Sequence, residues 1–344
     1  MEKKSYGMLD ICKFCCALLI LFYHYFSEHG GLPGILNEAL SLYAVAVALF
    51  MAISGFLIFS KVETCSTRSE RWRVVVKQIK RVLRVYLLWS VPYLLFQISQ
   101  WSISTLTMRF ILEKVQGWVF SSTFYTIWFM PALCVGLLLA FAATEYLPEV
   151  ATHALAALIY ATGSLMLTYR FVGEVLPVIP SLTVFADKWM GGARGGVFFG
   201  FPLIIAGRFV SQRQEKCKSV SLFILSFIFM ALLLAEALVI RTLANRNTGI
   251  DMTFFMIPLV MCVLGFLVSV PLRSGKICIW MRQMSTLVFM TQRIFLSILP
   301  VVMVGFSCWQ SPLLCFILMC GGTIAFSSVI IFLSRKLRWL KRMC

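Results

Sequence analysis

Ten long apolar runs, near residues 8–26, 39–60, 84–100, 125–144, 150–168, 196–210, 219–241, 252–270, 284–304 and 311–333, follow one another along the chain with short polar breaks between them. A bilayer core needs about 20 apolar residues per helix, within roughly 17–25. Lipid offers the backbone no hydrogen bonds, so runs of this kind read as helices. The run at 196–210 is short and Gly-rich, and that at 150–168 carries the weakest signal. Composition agrees: the chain is 60% hydrophobic and 13% charged over 344 residues, with mean hydropathy +0.89, far from the soluble average. The expectation is an all-α integral membrane protein, a bundle of about ten transmembrane helices forming one domain over residues 1–344. The longest polar segments, 61–81 and 169–195, are too short to build a core of their own. Chemistry therefore falls to the helices and their loops.

The net charge of +17 is a matter of topology rather than of nucleic acid. Basic residues gather after alternate runs: Lys61, Arg68, Arg71, Arg73, Lys77, Lys80 and Arg81; then Arg208, Arg213, Lys216 and Lys218; then Arg273, Lys276 and Arg282; then Arg335, Lys336, Arg338, Lys341 and Arg342. All fall on one side if both termini are cytoplasmic and the number of spans is even, as the positive-inside rule requires. The acidic turn Glu145 to Glu149 is the exception on that side. Lys3 and Lys4 precede the first run, but no small-x-small cleavage site follows it, so it reads as a retained span in a cell (inner) membrane. Most of the 12 cysteines lie inside apolar runs, where they read as small packing residues. No two CxxC elements stand at metal-ligand spacing, and no metal is expected.

The first run, DICKFCCALLILFYHYF, holds Lys13 and His24. At ~1.5 Å per residue they lie about 16 Å apart, and eleven residues is close to three full turns, so both share one face. Lys13 toward the cytoplasm suits a phosphate; His24, deeper in, suits a general base. The plainer alternative is a snorkelling Lys and a His in an aromatic belt with Tyr23 and Tyr25. Glu28 and His29 follow, either to orient His24 or as loop residues. Arg81 and Arg84 stand at i and i+3, adjacent on a helix. Two guanidiniums together suit a pyrophosphate, although a basic flank binding lipid headgroups reads the same way. Glu236, with Arg241 in reach, and Arg194 are charges at run ends, costly and often functional in a membrane. His153 reads as incidental, and Ser54-Gly55, lacking a GxSxG turn, as close helix packing.

Taken together these stretches resemble the acyltransferase-3 family. The opening Leu9, Asp10, Lys13 and His24 is similar to that family's Leu-Asp, basic residue, ten residues, His, with Lys where Arg is usual. ALFMAISGFLIFSK resembles its second span through Phe50, Ser54, Gly55 and Phe56. Arg81, Arg84 and Tyr86 follow. TIWFMPALCVGLLL resembles its fourth span through Trp128, Phe129, Ala132 and Leu133, and GVFFGFPLIIAGRFV a later one through Phe199 and Gly207. MSTLVFMTQRIF is similar to a late segment, with Phe289 where Tyr and Gln292 where His are common.

The resemblance implies transfer of an acyl group, usually acetyl, from cytoplasmic acetyl-CoA or another acyl-CoA to a hydroxyl of an envelope saccharide or lipid-linked glycan. On that reading Lys13, Arg81 and Arg84 hold the donor's phosphates. His24, with Glu28 beside it, acts as general base or transient acyl acceptor, and its pKa suits the task. Trp128, Ser54 and Arg194 are candidate substrate-pocket residues. The alternative is a transporter or flippase for a small polar or acylated substrate that uses the same bundle without bond chemistry.

Overall fold

The computed structural model describes residues 6–30, 42–99, 101–102, 106–124, 126–216, 219–244, 251–303, 311–337 and 340. The sequence-predicted flank charges Lys3, Lys4, Lys218, Arg338, Lys341 and Arg342 lie outside the described residues. Among the described residues every regular element is helical: α1 Gly7–His29, α2 Tyr43–Val62, α3 Arg68–Ser99, α4 Met108–Phe120, α5 Phe129–Tyr146, α6 Glu149–Met166, α7 Val178–Trp189, α8 Phe201–Arg213, α9 Ser219–Ala244, α10 Met256–Ser269, α11 Lys276–Met303 and α12 Pro312–Ser334. A single turn, Arg170–Gly173, precedes α7, and a π turn, Gly196–Gly200, leads into α8.

A helix lies over each of the ten apolar runs. Six of them, α1, α2, α3, α5, α9 and α12, are long and apolar enough to cross a membrane, while α10 is apolar but shorter. The chain is thus an all-helical, multi-pass membrane protein. Three features differ from the sequence expectation. The basic stretch after α2 is not a polar linker beyond residue 68, because α3 runs 32 residues, from Arg68 to Ser99, and carries the basic stretch as its first half. A capping box starts it: the Glu70 N–H donates to Thr67 Oγ1 at 3.2 Å, and the Ser66 and Thr67 N–H groups donate back to Glu70. The polar segments also hold two helices that apolar length alone does not reveal, α4 and α7. The run at 196–210 opens with a π turn rather than an α-helix.

The chain divides into two units. The first comprises residues 1–50 and 270–344, and the second comprises residues 51–269. In the first, α1 lies along α11 with α12 against them. Phe14 meets Trp280 at 5.7 Å between ring centroids, and Phe22 and Phe26 both meet Phe316 at 5.3 Å. Gly30, at φ +66°, ends α1 by turning its N–H back to the Phe26 carbonyl. In the second unit, α5 packs on α3, on the π turn and on α8, while α10 packs on α9. Only 17% of the apolar window of α9 is buried, so most of it faces outward, as a lipid-facing helix does.

Two glycines set the closest approach in the second unit. A methyl group on Gly207 of α8 would lie 2.0 Å from the Ala52 carbonyl of α2, and one on Gly55 of α2 would lie 2.4 Å from the Ile204 carbonyl. The two backbones touch because neither residue has a side chain, the small-residue contact that membrane helices use in place of hydrophobic exclusion. Gly321, inside α12, has nothing within 4 Å of the same position. Gly207→Val should therefore cost about 1–3 kcal/mol or prevent folding, whereas Gly321→Ala should be neutral or stabilise by up to ~1 kcal/mol. Thermal unfolding of both variants in detergent, followed by tryptophan fluorescence, checks the contrast.

Candidate functional site

The polar side chains of the first unit collect at two levels of the α1–α11 pair. At the lower level Asp10, 4% exposed, receives Arg282 through both guanidinium arms, Nε to Oδ1 at 2.7 Å and Nη2 to Oδ2 at 2.6 Å, with Ser274 Oγ at 3.0 Å from Oδ2. The Gly7 N–H donates to the Leu272 carbonyl at 2.9 Å just below. A buried carboxylate needs this degree of satisfaction, since unpaired it costs several kcal/mol. Arg282 is thus more than a marker of sidedness: it is the partner of Asp10. Lys13 lies one turn above Asp10 and is half-buried.

At the upper level α1 carries His24, half-buried, and Glu28 one turn on. Glu28 is ion-paired to Arg293 of α11, whose side chain is 17% exposed. The charges of both Glu28 and Arg293 act on His24. His24 therefore stands within one polar cluster on two packed helices. Tyr23 stacks on Tyr43 at 3.6 Å between centroids beside it. His29 is not a loop residue: it ends α1, its ring nitrogen bonds the Tyr25 carbonyl at 3.0 Å, and its ring stacks on Tyr25 at 4.7 Å. Gln292, one residue before Arg293, is fully buried. Its Nε2 donates to the Phe289 carbonyl at 3.1 Å, and among the described residues its Oε1 has no partner. Phe289 meets Phe50 at 6.3 Å.

The remaining candidates belong to the second unit. Arg81 and Arg84 sit side by side on α3, both exposed, and neither makes an ion pair among the described residues. Arg71, lower on the same helix, is committed: it holds Glu145 bidentately at 2.6 and 2.8 Å, with Arg68 at 3.8 Å. Glu149 pairs with Arg213 at 3.5 Å. The acidic turn that broke the charge pattern is therefore neutralised by the basic flanks around it. Nearby, burial pushes the Glu63 carboxyl up, while Arg208 and a hydrogen bond from Ser211 pull it down. Ser54 lies on α2 next to Gly55, at the close crossing with α8. Trp128 is half-buried, edge-on to Phe199 of the π turn at 5.9 Å. Arg194 holds Asp251 at 2.5 Å.

Glu236 has a structural task that the sequence did not reveal. Its carboxylate accepts the Tyr169 hydroxyl and the N–H groups of Phe254 (2.6 Å) and Phe255 (3.0 Å). It thus caps the approach to α10 from the neighbouring helix. Burial, and then Glu236, push the Tyr169 phenol up, so it remains a donor.

Sequence reasoning missed Arg293, although an arginine within an apolar run announces a partner. Because Glu28 is partly exposed, removing one member of the Glu28–Arg293 pair should destabilise by only about 1 kcal/mol, and the double variant Glu28→Gln/Arg293→Gln should recover part of the loss. Thermal midpoints of the two single variants and the double variant measure the coupling.

A family model described as an acyltransferase domain, acyltransferase-3, matches residues 6–332. An amino-acid racemase of Enterococcus faecalis is 21% identical over 99% of this chain and 48% of its own length. A serine/alanine racemase of Enterococcus gallinarum is 28% identical over 64% of this chain and 32% of its own. A second amino-acid racemase of Enterococcus faecalis is 24% identical over 62% of this chain and 29% of its own. The chain thus spans about half or less of the length of these curated relatives. No solved structure matches it.

Proposed function

The chain belongs to the acyltransferase-3 family, and from that premise we propose that it moves an acetyl or other short acyl group from cytoplasmic acyl-CoA to a hydroxyl of an envelope saccharide or lipid-linked glycan. The observation that carries the reading is His24, half-buried in a membrane helix and within reach of the Glu28–Arg293 pair. An imidazole so placed is a costly choice for packing alone and an apt one for proton transfer.

His24 takes the proton from the acceptor hydroxyl as the oxygen attacks the thioester carbonyl. The carbon–sulfur bond breaks, and the proton passes to the leaving thiolate, so that an ester and a free thiol are the products. Attack by the imidazole itself, with the acyl group then passed to the acceptor, gives the same products in two steps. Glu28 faces the charge that His24 gains, and Arg293 fixes Glu28. Arg81 and Arg84, exposed and adjacent, fit the donor's phosphates, and Lys13 adds a cation on the His24 helix. Trp128, Ser54 and Arg194 are the proposed lining for the acceptor. Both termini are taken as cytoplasmic and the helices over the ten runs as crossings in a cell membrane, which puts the basic flanks on the donor's side.

The racemase names of the relatives favour one second reading, in which the same bundle carries a small amino acid across the membrane without making a bond. The experiment is thiol release from acetyl-CoA by purified protein. His24→Ala should lower turnover roughly 10²–10⁴-fold. Arg81→Ala/Arg84→Ala should raise the KM for the donor by about tenfold or more, since each lost charge-assisted contact is worth roughly 1.5–3 kcal/mol. Wild-type protein that neither binds nor cleaves acyl-CoA, yet takes up labelled serine or alanine in proteoliposomes, would overturn acyl transfer in favour of transport.

A further inference from the structure

Two short helices of the second unit, α4 and α7, answer to neither a crossing nor a water-exposed loop. At ~1.5 Å per residue, 13 and 12 residues give about 20 and 18 Å, short of a hydrocarbon core of about 30 Å. They are joined to each other: Gln116 Nε2 donates to the Lys188 carbonyl at 3.2 Å, and Phe120 meets Trp189 edge-on at 5.2 Å. Each turns a strongly apolar face outward. On α4, Met108, Ile111, Leu112 and Val115 stand at i, i+3, i+4 and i+7 and are all exposed, Met108 at 72% and Leu112 at 61%. On α7, Val178, Phe185 and Trp189 share one face at i, i+7 and i+11 and are exposed, Val178 at 71% and Phe185 at 49%.

We propose that α4 and α7 form an interfacial shelf that lies in the plane of the bilayer surface, with its apolar face sunk among the lipids. Continuity identifies the occupant. The end of α3 presents Leu87, Val91, Leu95 and Ile98 outward along one stripe, the lipid-facing surface of a spanning helix, and α4 is the next helix in the chain. α4 links the end of α3 to the start of α5, and α7 links the end of α6 to the π turn, so both sit where spans emerge. Trp118 and Trp189 belong to the pair, and Trp101 stacks on Trp118 at 6.2 Å, the aromatic content of a membrane interface. Water would leave four large side chains exposed on the face of α4 and three on that of α7; the headgroup boundary takes such faces to a depth of about 5–10 Å. The charges on the two helices are Arg109, Glu113 and Lys114, with Asp187 and Lys188, which sum to +1. Apolar insertion therefore drives the contact, not attraction to anionic lipid.

The test uses full-length protein, stripped of labelling-competent native thiols, in vesicles. Nitroxides are placed by Leu112→Cys and Phe185→Cys, with Arg109→Cys, whose native side chain is 88% exposed, as the polar-face control. Met108→Cys and Val178→Cys repeat the measurement on the same faces should a first variant fail to fold. Power saturation with oxygen and with a water-soluble nickel chelate reads depth. The apolar-face labels are expected roughly 5–10 Å below the phosphates, with the control at or above them. The depths should be the same in phosphatidylcholine alone and with phosphatidylglycerol added. Apolar-face labels that collide freely with the nickel chelate would overturn the shelf. So would labels shielded from both reagents and dipolar-coupled to a second copy, which would make the face a protein interface.

Discussion

A charge inside an apolar body must meet its counter-charge or the chain will not fold, and this constraint organises the molecule. Asp10 has Arg282 and Ser274; Glu28 has Arg293; Glu145 has Arg68 and Arg71; Glu236 has two backbone N–H groups and a phenol. Each arrangement joins segments far apart in sequence. With no hydrophobic drive between helices in lipid, such ties and the close glycine crossings decide which helix lies against which. Apolar packing then fills the remaining space.

The same constraint makes the candidate site possible. Because Arg293 compensates Glu28, an acid can stand one turn from His24 without carrying an unbalanced charge into the helix pair. The cluster has the parts that proton transfer needs: a titratable ring, an acid beside it, and a fixed cation behind the acid. Arg81 and Arg84 contrast with Arg71 on the same helix. Arg71 is spent on holding two helices together, whereas the pair higher up is left to solvent. Among the described residues neither guanidinium of that pair meets an acid, which is why the pair is proposed for the donor's phosphates.

Much of this was legible in the sequence. Apolar run length located the six helices that are long and apolar enough to cross a membrane, because a bilayer converts length directly into structure. Spacing put Lys13 and His24 on one face of α1. What escaped was of two kinds. α4 and α7 escaped because amphipathic helices of a dozen residues lack the apolar length that marks a span, although Met108, Ile111, Leu112 and Val115 keep a helical period. The partners of Asp10 and Glu28 escaped because pairing across 272 and 265 residues leaves no local signature. Arg293 alone gave warning, as a full charge inside an apolar run. Glu145 and Glu149 looked like exceptions to the charge pattern until the basic side chains around them were placed.

The clamp between Asp10 and Arg282 also bears on how the protein is made. The acid on α1 leaves the ribosome 272 residues ahead of its partner on α11. At roughly 5–20 residues per second that is an interval of about 15–55 s. During it α1 has no mate for Asp10, and an unpaired carboxylate cannot rest deep in hydrocarbon. Asp10, in the first turn of α1, therefore stays at the membrane surface until α11 arrives. The unit that holds His24 thus cannot assemble before α11 has been made.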